Sequence, residues 1–140
     1  MTQAEWKYIK HFKPNENWGD PAKMDDLLLK HLDLLRDFAG FPFEVHCGYE
    51  TSGHATNSYH YQGLAVDGHF EGLSLVEQFL FAIQFQFNGI GIYPYWNKPG
   101  LHLDIRPGPR RAMWLRTREG HYKNLTIDDI EKLIQISKGR

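Results

Sequence analysis

Apolar side chains recur at spacings of three and four across residues 21–39, where Met24, Leu27, Leu28, His31, Leu34, Leu35 and Phe38 predict one amphipathic helix. Asp20 stands before Pro21 in the capping position, and Gly40 closes the segment. His31 falls on the apolar side, where a lone histidine is more often a satisfied core residue than a ligand. Ahead of this helix the chain is mixed, with Trp6, Tyr8, Phe12 and Trp18 as anchors onto a core. Behind it the period changes. Residues 43–48 (FEVHCG) read as a short strand, residues 50–59 (ETSGHATNSY) as an ordered loop, and residues 63–70 as strand again. Ser74 caps a second helix to about Phe87, apolar on most sides and so expected to be buried. Residues 89–95 (GIGIYPY) and 112–117 are strand candidates, and residues 101–106 (LHLDIR) alternate with period two as the clearest strand. Thr126 begins a capped terminal helix with Ile127, Ile130, Leu133 and Ile134 facing inward. The pattern is α+β: a small antiparallel sheet with helices packed against one side, in one domain spanning residues 1–140.

Composition narrows the partners. With 140 residues, 41% hydrophobic and 24% charged, the chain can bury a core without staples. Sixteen Lys and Arg against 17 Asp and Glu leave a net charge of -1, which gives no electrostatic case for nucleic acid or an anionic membrane. The longest nearly apolar run, residues 73–87, is interrupted by Ser74, Glu77, Gln78, Gln84 and Gln86, so no membrane span is expected. A single cysteine, Cys47, excludes an internal disulfide and a thiolate zinc cluster. The opening MTQAEWKYIKHFKPNENW has neither an apolar stretch nor a small-residue cleavage site, so a cytoplasmic start is expected. Two arginines in the turn at residues 107–111 do not make a nucleic-acid site.

Eight histidines make a metal or acid–base site worth seeking, and three positions stand out: His60, Asp67 and His102. His60 ends the polar loop, and Asp67 follows through Gly63 and Ala65, small residues that would let the backbone pass close beneath an ion. On the alternating strand Leu101, Leu103 and Ile105 point one way and His102, Asp104 and Arg106 the other. Three such side chains on one buried face would be costly without partners, and an ion supplies one. Two imidazoles and a carboxylate with an open fourth position form the ligand set of a catalytic zinc. Spacing alone is a weak signal, since many such triplets arise by chance. His46 and Cys47, adjacent on one strand, should face opposite ways, which argues against a Cys/His nucleophile pair.

The segment Ser58-x-His60-x-x-Gly63-x-Ala65-x-Asp67, followed by the apolar-His-apolar-Asp strand at residues 101–104, resembles the zinc D-Ala-D-Ala peptidases. These are LAS metallopeptidases, whose fold hedgehog domains share, and the likeness is to their compact D-Ala-D-Ala carboxypeptidase-like and murein-endopeptidase branch, often encoded by phages and prophages. The resemblance runs from about Phe43 to Trp114. It implies one zinc per chain on His60, Asp67 and His102, and hydrolysis of amide bonds in peptidoglycan stem peptides or cross-links. It also implies release to the cell wall, and a monomer is expected. Relatives carry an acid or histidine two or three residues before the second zinc histidine, where this chain has Gly100 and Pro99. Asp104 is then the candidate proton acceptor, with an orienting role for His102 as the alternative. His54 and His69 are further proton-transfer candidates. Relatives also carry Gly-Tyr-Arg where this chain has Gly48-Tyr49-Glu50, so Arg106 is the candidate for holding a substrate carboxylate. Ser58 is a candidate contact to substrate or to Asp67, and Tyr93, with Tyr95 and Trp96, a candidate groove wall. The competing reading is a catalytically silent zinc-containing module that binds cell wall or builds a phage particle.

Overall fold

The structure is a computed structural model and describes residues 1–138. Its elements are α1 (Gln3–Trp6), α2 (Asp26–Ala39), β1 (Phe43–Cys47), β2 (Ala65–Phe70), α3 (Leu75–Ala82), β3 (Gly89–Tyr93), β4 (Gly100–Asp104), β5 (Ala112–Arg116), β6 (Tyr122–Asn124) and α4 (Ile127–Lys138). Among the described residues the strands form one six-stranded sheet in the order β1-β2-β4-β3-β5-β6. The α+β class is as expected. All neighbouring strands are antiparallel except β3 and β5, which run parallel. No helix among the described residues is long and apolar enough to cross a membrane.

The sheet has two unlike faces because its strands alternate. Val66, Leu103 and Ile90 stand side by side on β2, β4 and β3, all fully buried in the core that α2 and α3 help build. The opposite face carries Asp67, His102 and Asp104. Trp6, Phe12 and Trp18 seal one end of the core, with Trp18 within 5.6 Å of Trp6 and 5.7 Å of Phe12 between ring centroids. Tyr8, the fourth expected anchor, is exposed.

The first long helix begins later than its pattern suggests. Asp20 caps only a single 3-10 turn at Pro21–Lys23. Met24 is extended and buried, and Asp25 caps α2 by accepting from the Leu27 and Leu28 amides. The buried stripe is also turned by one residue: Leu28, Leu29, Leu32, Leu35 and Ala39 face the core, while Leu27, Leu34 and Phe38 are more than half exposed. The sequence LLLKHLDLL supports both stripes equally, and only docking chooses. His31 packs edge-on against Phe87, as a partly buried boundary residue.

The second helix is shorter than expected. Its Ser74–Glu77 capping box forms, but the helix stops at Ala82. Arg111 then donates to the carbonyls of Ile83 and Phe85, which gives the basic turn a structural task. In α4, Thr126 and Asp129 cap each other, Ile130, Leu133 and Ile134 pack inward, and Ile127 is 77% exposed, against expectation. Strand β6 was not foreseen in the sequence pattern; its three residues are exposed and polar or aromatic, without a buried face to mark them.

Candidate metal centre

The polar sheet face is organised in rows across the strands. Asp67 on β2 pairs with His102 on β4, His102 with Gly91 on β3, and Gly91 with Trp114 on β5. The next row sets Asp104 beside Gly89. The glycines are required by this packing. A Cβ on Gly89 would lie 2.2 Å from an Asp104 carboxylate oxygen, and one on Gly91 would lie 2.5 Å from the Trp114 indole nitrogen. The Gly89-x-Gly91 spacing therefore makes room for two large neighbours on the adjoining strands.

His60 arrives from outside the sheet. Ser58 caps the 3-10 turn Tyr59–Gln62 by accepting from the His60 amide at 3.2 Å. Gly63 ends that turn at φ +71, and its missing side chain also leaves space for the Lys23 carbonyl, 1.9 Å from where a Cβ would sit. The small residue here thus serves the turn and the packing against Lys23, and not the approach of an ion as its spacing suggested. The His60 ring is fully enclosed, and its Nδ1–H donates to the Gly48 carbonyl at 2.8 Å, so Nε2 faces Asp67.

His60, Asp67 and His102 meet. His60 Nε2 lies 3.2 Å and His102 Nδ1 2.9 Å from the same oxygen, Asp67 Oδ1, and each residue offers a ligand atom within 4.8 Å of the others. Tetrahedral zinc with bonds of about 2.0–2.1 Å spaces its ligands by roughly 3.3 Å, so the donor set suits that ion. The two imidazoles have their outer nitrogens tied to Gly48 and Asp104, which leaves the inner nitrogens directed at a common point.

The charges match this arrangement. Burial opposes ionisation of Asp67, but the His102 and His60 hydrogen bonds prevail and hold its carboxyl well below the usual carboxylate range. Burial likewise disfavours a charged His102, yet Asp104 and Asp67 outweigh it and raise its pKa to about 9. Asp104, against its own burial, is lowered to about 2 by His102 and Arg106. The stability that the His102 proton gives the metal-free fold is full below its ordinary pKa of 6.5 and is lost as pH rises through about 9. Zinc competes with that proton, so its affinity should climb over the same interval, by up to about tenfold per pH unit. The rise in melting temperature on adding zinc is therefore expected to be larger at pH 9 than at pH 6, and equal shifts would refute this.

The other predicted residues are placed as follows. Asp104 is fully buried behind His102, where one oxygen accepts from His102 Nε2 at 2.8 Å and both accept from Arg106. It is turned away from the common point, so the geometry corrects the base assignment in favour of the orienting alternative. Arg106 lines the cleft beside the centre, but its Nε and Nη2 are committed to Asp104, and its guanidinium lies 4.8 Å from the Tyr59 ring and 5.0 Å from the Trp114 ring. Ser58 lines the cleft with its hydroxyl used as a cap, and Tyr93 stacks on Trp96 at 4.3 Å while its hydroxyl accepts from Trp114. His54 stacks on His60 at 4.2 Å, nearly parallel, and burial followed by the neighbouring His60 lowers its pKa. His69 is turned toward His46, Glu44 and Glu71, off the centre, in a second cluster where Lys98 already neutralises Glu44.

Cys47 was missed. A bulge between Val45 and Cys47 breaks the alternation of β1 and sets Cys47 opposite Asp67, with Sγ–H donating to Oδ2 at 3.4 Å. His46 contacts His69, which shares a face of β2 with Asp67, so His46 and Cys47 do not face opposite ways as expected. They nonetheless have different partners. Burial, then Asp67, pushes the thiol pKa far up and keeps it protonated. No sequence signal marks this bulge.

The centre lies on the wall of a cleft of 890 Å³ bounded by Tyr93, Trp96 and Trp114. A family model described as peptidoglycan L,D-endopeptidase MepK (Peptidase M15_2) matches residues 3–114, which spans all three converging side chains. The chain belongs to this family. It is thereby a member of the zinc LAS peptidases, metallopeptidases acting on peptidoglycan, as the motif at residues 58–67 implied. No curated protein matches the chain.

Proposed function

We propose that this chain is a zinc endopeptidase that cuts L,D-peptide bonds in peptidoglycan cross-links, the activity named in its family's description. The observation that carries the reading is the convergence of His60, Asp67 and His102 beside a cleft large enough for a peptide. Endopeptidase action is favoured over removal of a terminal residue by Glu50. It stands where the arginine of terminal-carboxylate-binding relatives is expected, and its amide is tied to the His60 carbonyl.

His60 through Nε2, His102 through Nδ1 and Asp67 through a carboxylate oxygen would hold the ion. Bound there, zinc lowers the pKa of a water toward neutrality and polarises the scissile carbonyl. Asp104 fixes the His102 ring, and Arg106 fixes Asp104. The phenol of Tyr93, kept protonated by burial, is a donor available to a substrate carbonyl. With zinc in place, His54 would be the group to take the water's proton and pass it to the leaving amine. Burial and the neighbouring His60 depress its pKa, which favours the neutral, proton-accepting ring, and its stacking sets it against the imidazole of His60. His54→Ala is expected to lower kcat by about 10²- to 10⁴-fold with zinc content unchanged. A His54→Ala enzyme with wild-type kcat would remove this residue from the mechanism.

Digestion of purified cross-linked peptidoglycan, read by mass spectrometry, tests the whole reading. Cross-linked muropeptides should disappear, with one new amine and one new carboxylate per cut. Loss of terminal D-alanine from uncross-linked stems would instead mark a carboxypeptidase. Binding without any new terminus would support the silent module, which the lack of an acid at positions 99 and 100 favours.

A further inference from the structure

We propose that Arg116 and Arg118 form a carboxylate-binding subsite on the β5–β6 side of the cleft, one that selects stem peptides bearing a free carboxylate near the scissile amide. The subsite rests on the peptidase reading for its substrate, but its geometry is independent of the metal ligands.

Both arginines line the same cleft as His60, Asp67 and His102. On β5, Trp114 leans over His102 with ring centroids 5.2 Å apart, and Arg116 follows two residues later on the same strand face. Its position is therefore one step along the cleft from the centre. The Arg116 guanidinium lies over the Tyr122 ring at 4.3 Å, and that of Arg118 over Tyr95 at 4.9 Å. A guanidinium set over an aromatic ring is attracted to it without using its N–H donors, which stay available to a carboxylate.

Their lack of an anion separates them from the other cations nearby. Arg106 is neutralised by Asp104, Lys98 by Glu44 and Lys123 by Asp129. Among the described residues neither Arg116 nor Arg118 meets a carboxylate. The acids of the cleft are matched as well: Asp67 faces two imidazoles and Asp104 faces His102 and Arg106. Among the described residues the cleft is left with two positive charges that no carboxylate answers, each set over a tyrosine ring and next to the position where an amide would be cut. An incoming carboxylate is the complementary group. It also takes the place of Arg106, whose Nε and Nη2 already serve Asp104, as the answer to the missing arginine after Tyr49.

That carboxylate has two sources in a stem peptide: the chain terminus, or a carboxylate carried on a residue within the peptide. Three synthetic cross-linked stem-peptide dimers, each containing the scissile amide, separate them: one with both groups free, one with the terminus amidated and one with the internal carboxylate amidated. Binding to the zinc-loaded protein is measured by calorimetry, with turnover followed in parallel. Amidation of the recognised group is expected to weaken wild-type binding about tenfold or more. The double variant Arg116→Ala/Arg118→Ala should lose the same factor on the free peptide and no longer distinguish the three, with KM raised and kcat within about twofold. Arg116→Glu/Arg118→Glu should weaken the free peptide further and reverse the preference toward the amide. Equal wild-type binding of all three peptides, or discrimination that survives in the double alanine variant, overturns the subsite. Carboxylate-dependent binding without cleavage would sink the hydrolase reading alone, and cleavage indifferent to amidation would sink the subsite alone.

Discussion

Replacement of His102 by alanine is expected to reduce zinc from about one per chain to a small fraction and to lower peptidoglycan cleavage by at least about 10³-fold. The side chain supplies one of the three converging ligand atoms and is gripped by Asp104 on its other nitrogen. Two protein ligands, His60 and Asp67, leave the ion poorly held, so it dissociates and takes the activated water with it. The fold should survive. Asp67 keeps His60 as a partner and Asp104 keeps the three nitrogen contacts from Arg106, so no buried carboxylate is abandoned. Elemental analysis and circular dichroism on the same preparation check both halves. A folded His102→Ala protein with full zinc content and wild-type cleavage would refute the site. Asp104→Asn should be milder, with weaker zinc affinity by about 10- to 100-fold, as for other residues that orient a ligand from behind.

Gly89→Ala is the second large effect, and it acts through Asp104 rather than on a ligand residue directly. The added methyl would overlap the Asp104 carboxylate, with both oxygens and the carboxyl carbon closer than 3.0 Å. Asp104 is fully buried and holds His102 and Arg106 at once, so it has nowhere to move without breaking one of them. Overpacking combined with a disturbed buried ion pair should cost about 3 kcal/mol. For a chain of this size that is a fall of roughly 10 °C in melting temperature. Zinc affinity should fall along with it, because the push is transmitted through Asp104 to His102. A Gly89→Ala protein that melts and binds zinc like wild type would show that the glycine is incidental.

Much of the centre was legible in the residues. The alternation in LHLDIR placed His102, Asp104 and Arg106 on one strand face, and they do touch one another. This worked because a strand half buried in a core must alternate, and Leu101 and Leu103 made that side unmistakable. The α2 stripe failed for the converse reason: a run of leucines offers two equivalent faces one residue apart, so periodicity cannot choose between them. Cys47 and His46 were misjudged because a bulge breaks the period-two rule without leaving a mark in composition. Asp104 was identified as important, but its role depended on which nitrogen of His102 it would meet, and spacing along a strand is silent on that.

Residue order by itself determined the types of the longer strands and helices and the apolar and polar faces of β4. Those follow from short-range sterics and hydrophobic alternation. The triplet His60, Asp67 and His102 was marked by the likeness of residues 58–67 and 101–104 to a known family. The tertiary structure alone decided that β3 slips between β4 and β5 with two glycines to admit Asp104 and Trp114. It also decided that Cys47 turns toward Asp67 and that Arg116 and Arg118 reach the cleft with no acidic partner among the described residues. Those facts depend on neighbours brought together from distant parts of the chain. A side chain's charge partner and the space beside a glycine are properties of the packed sheet, and the strand that carries them does not encode them locally.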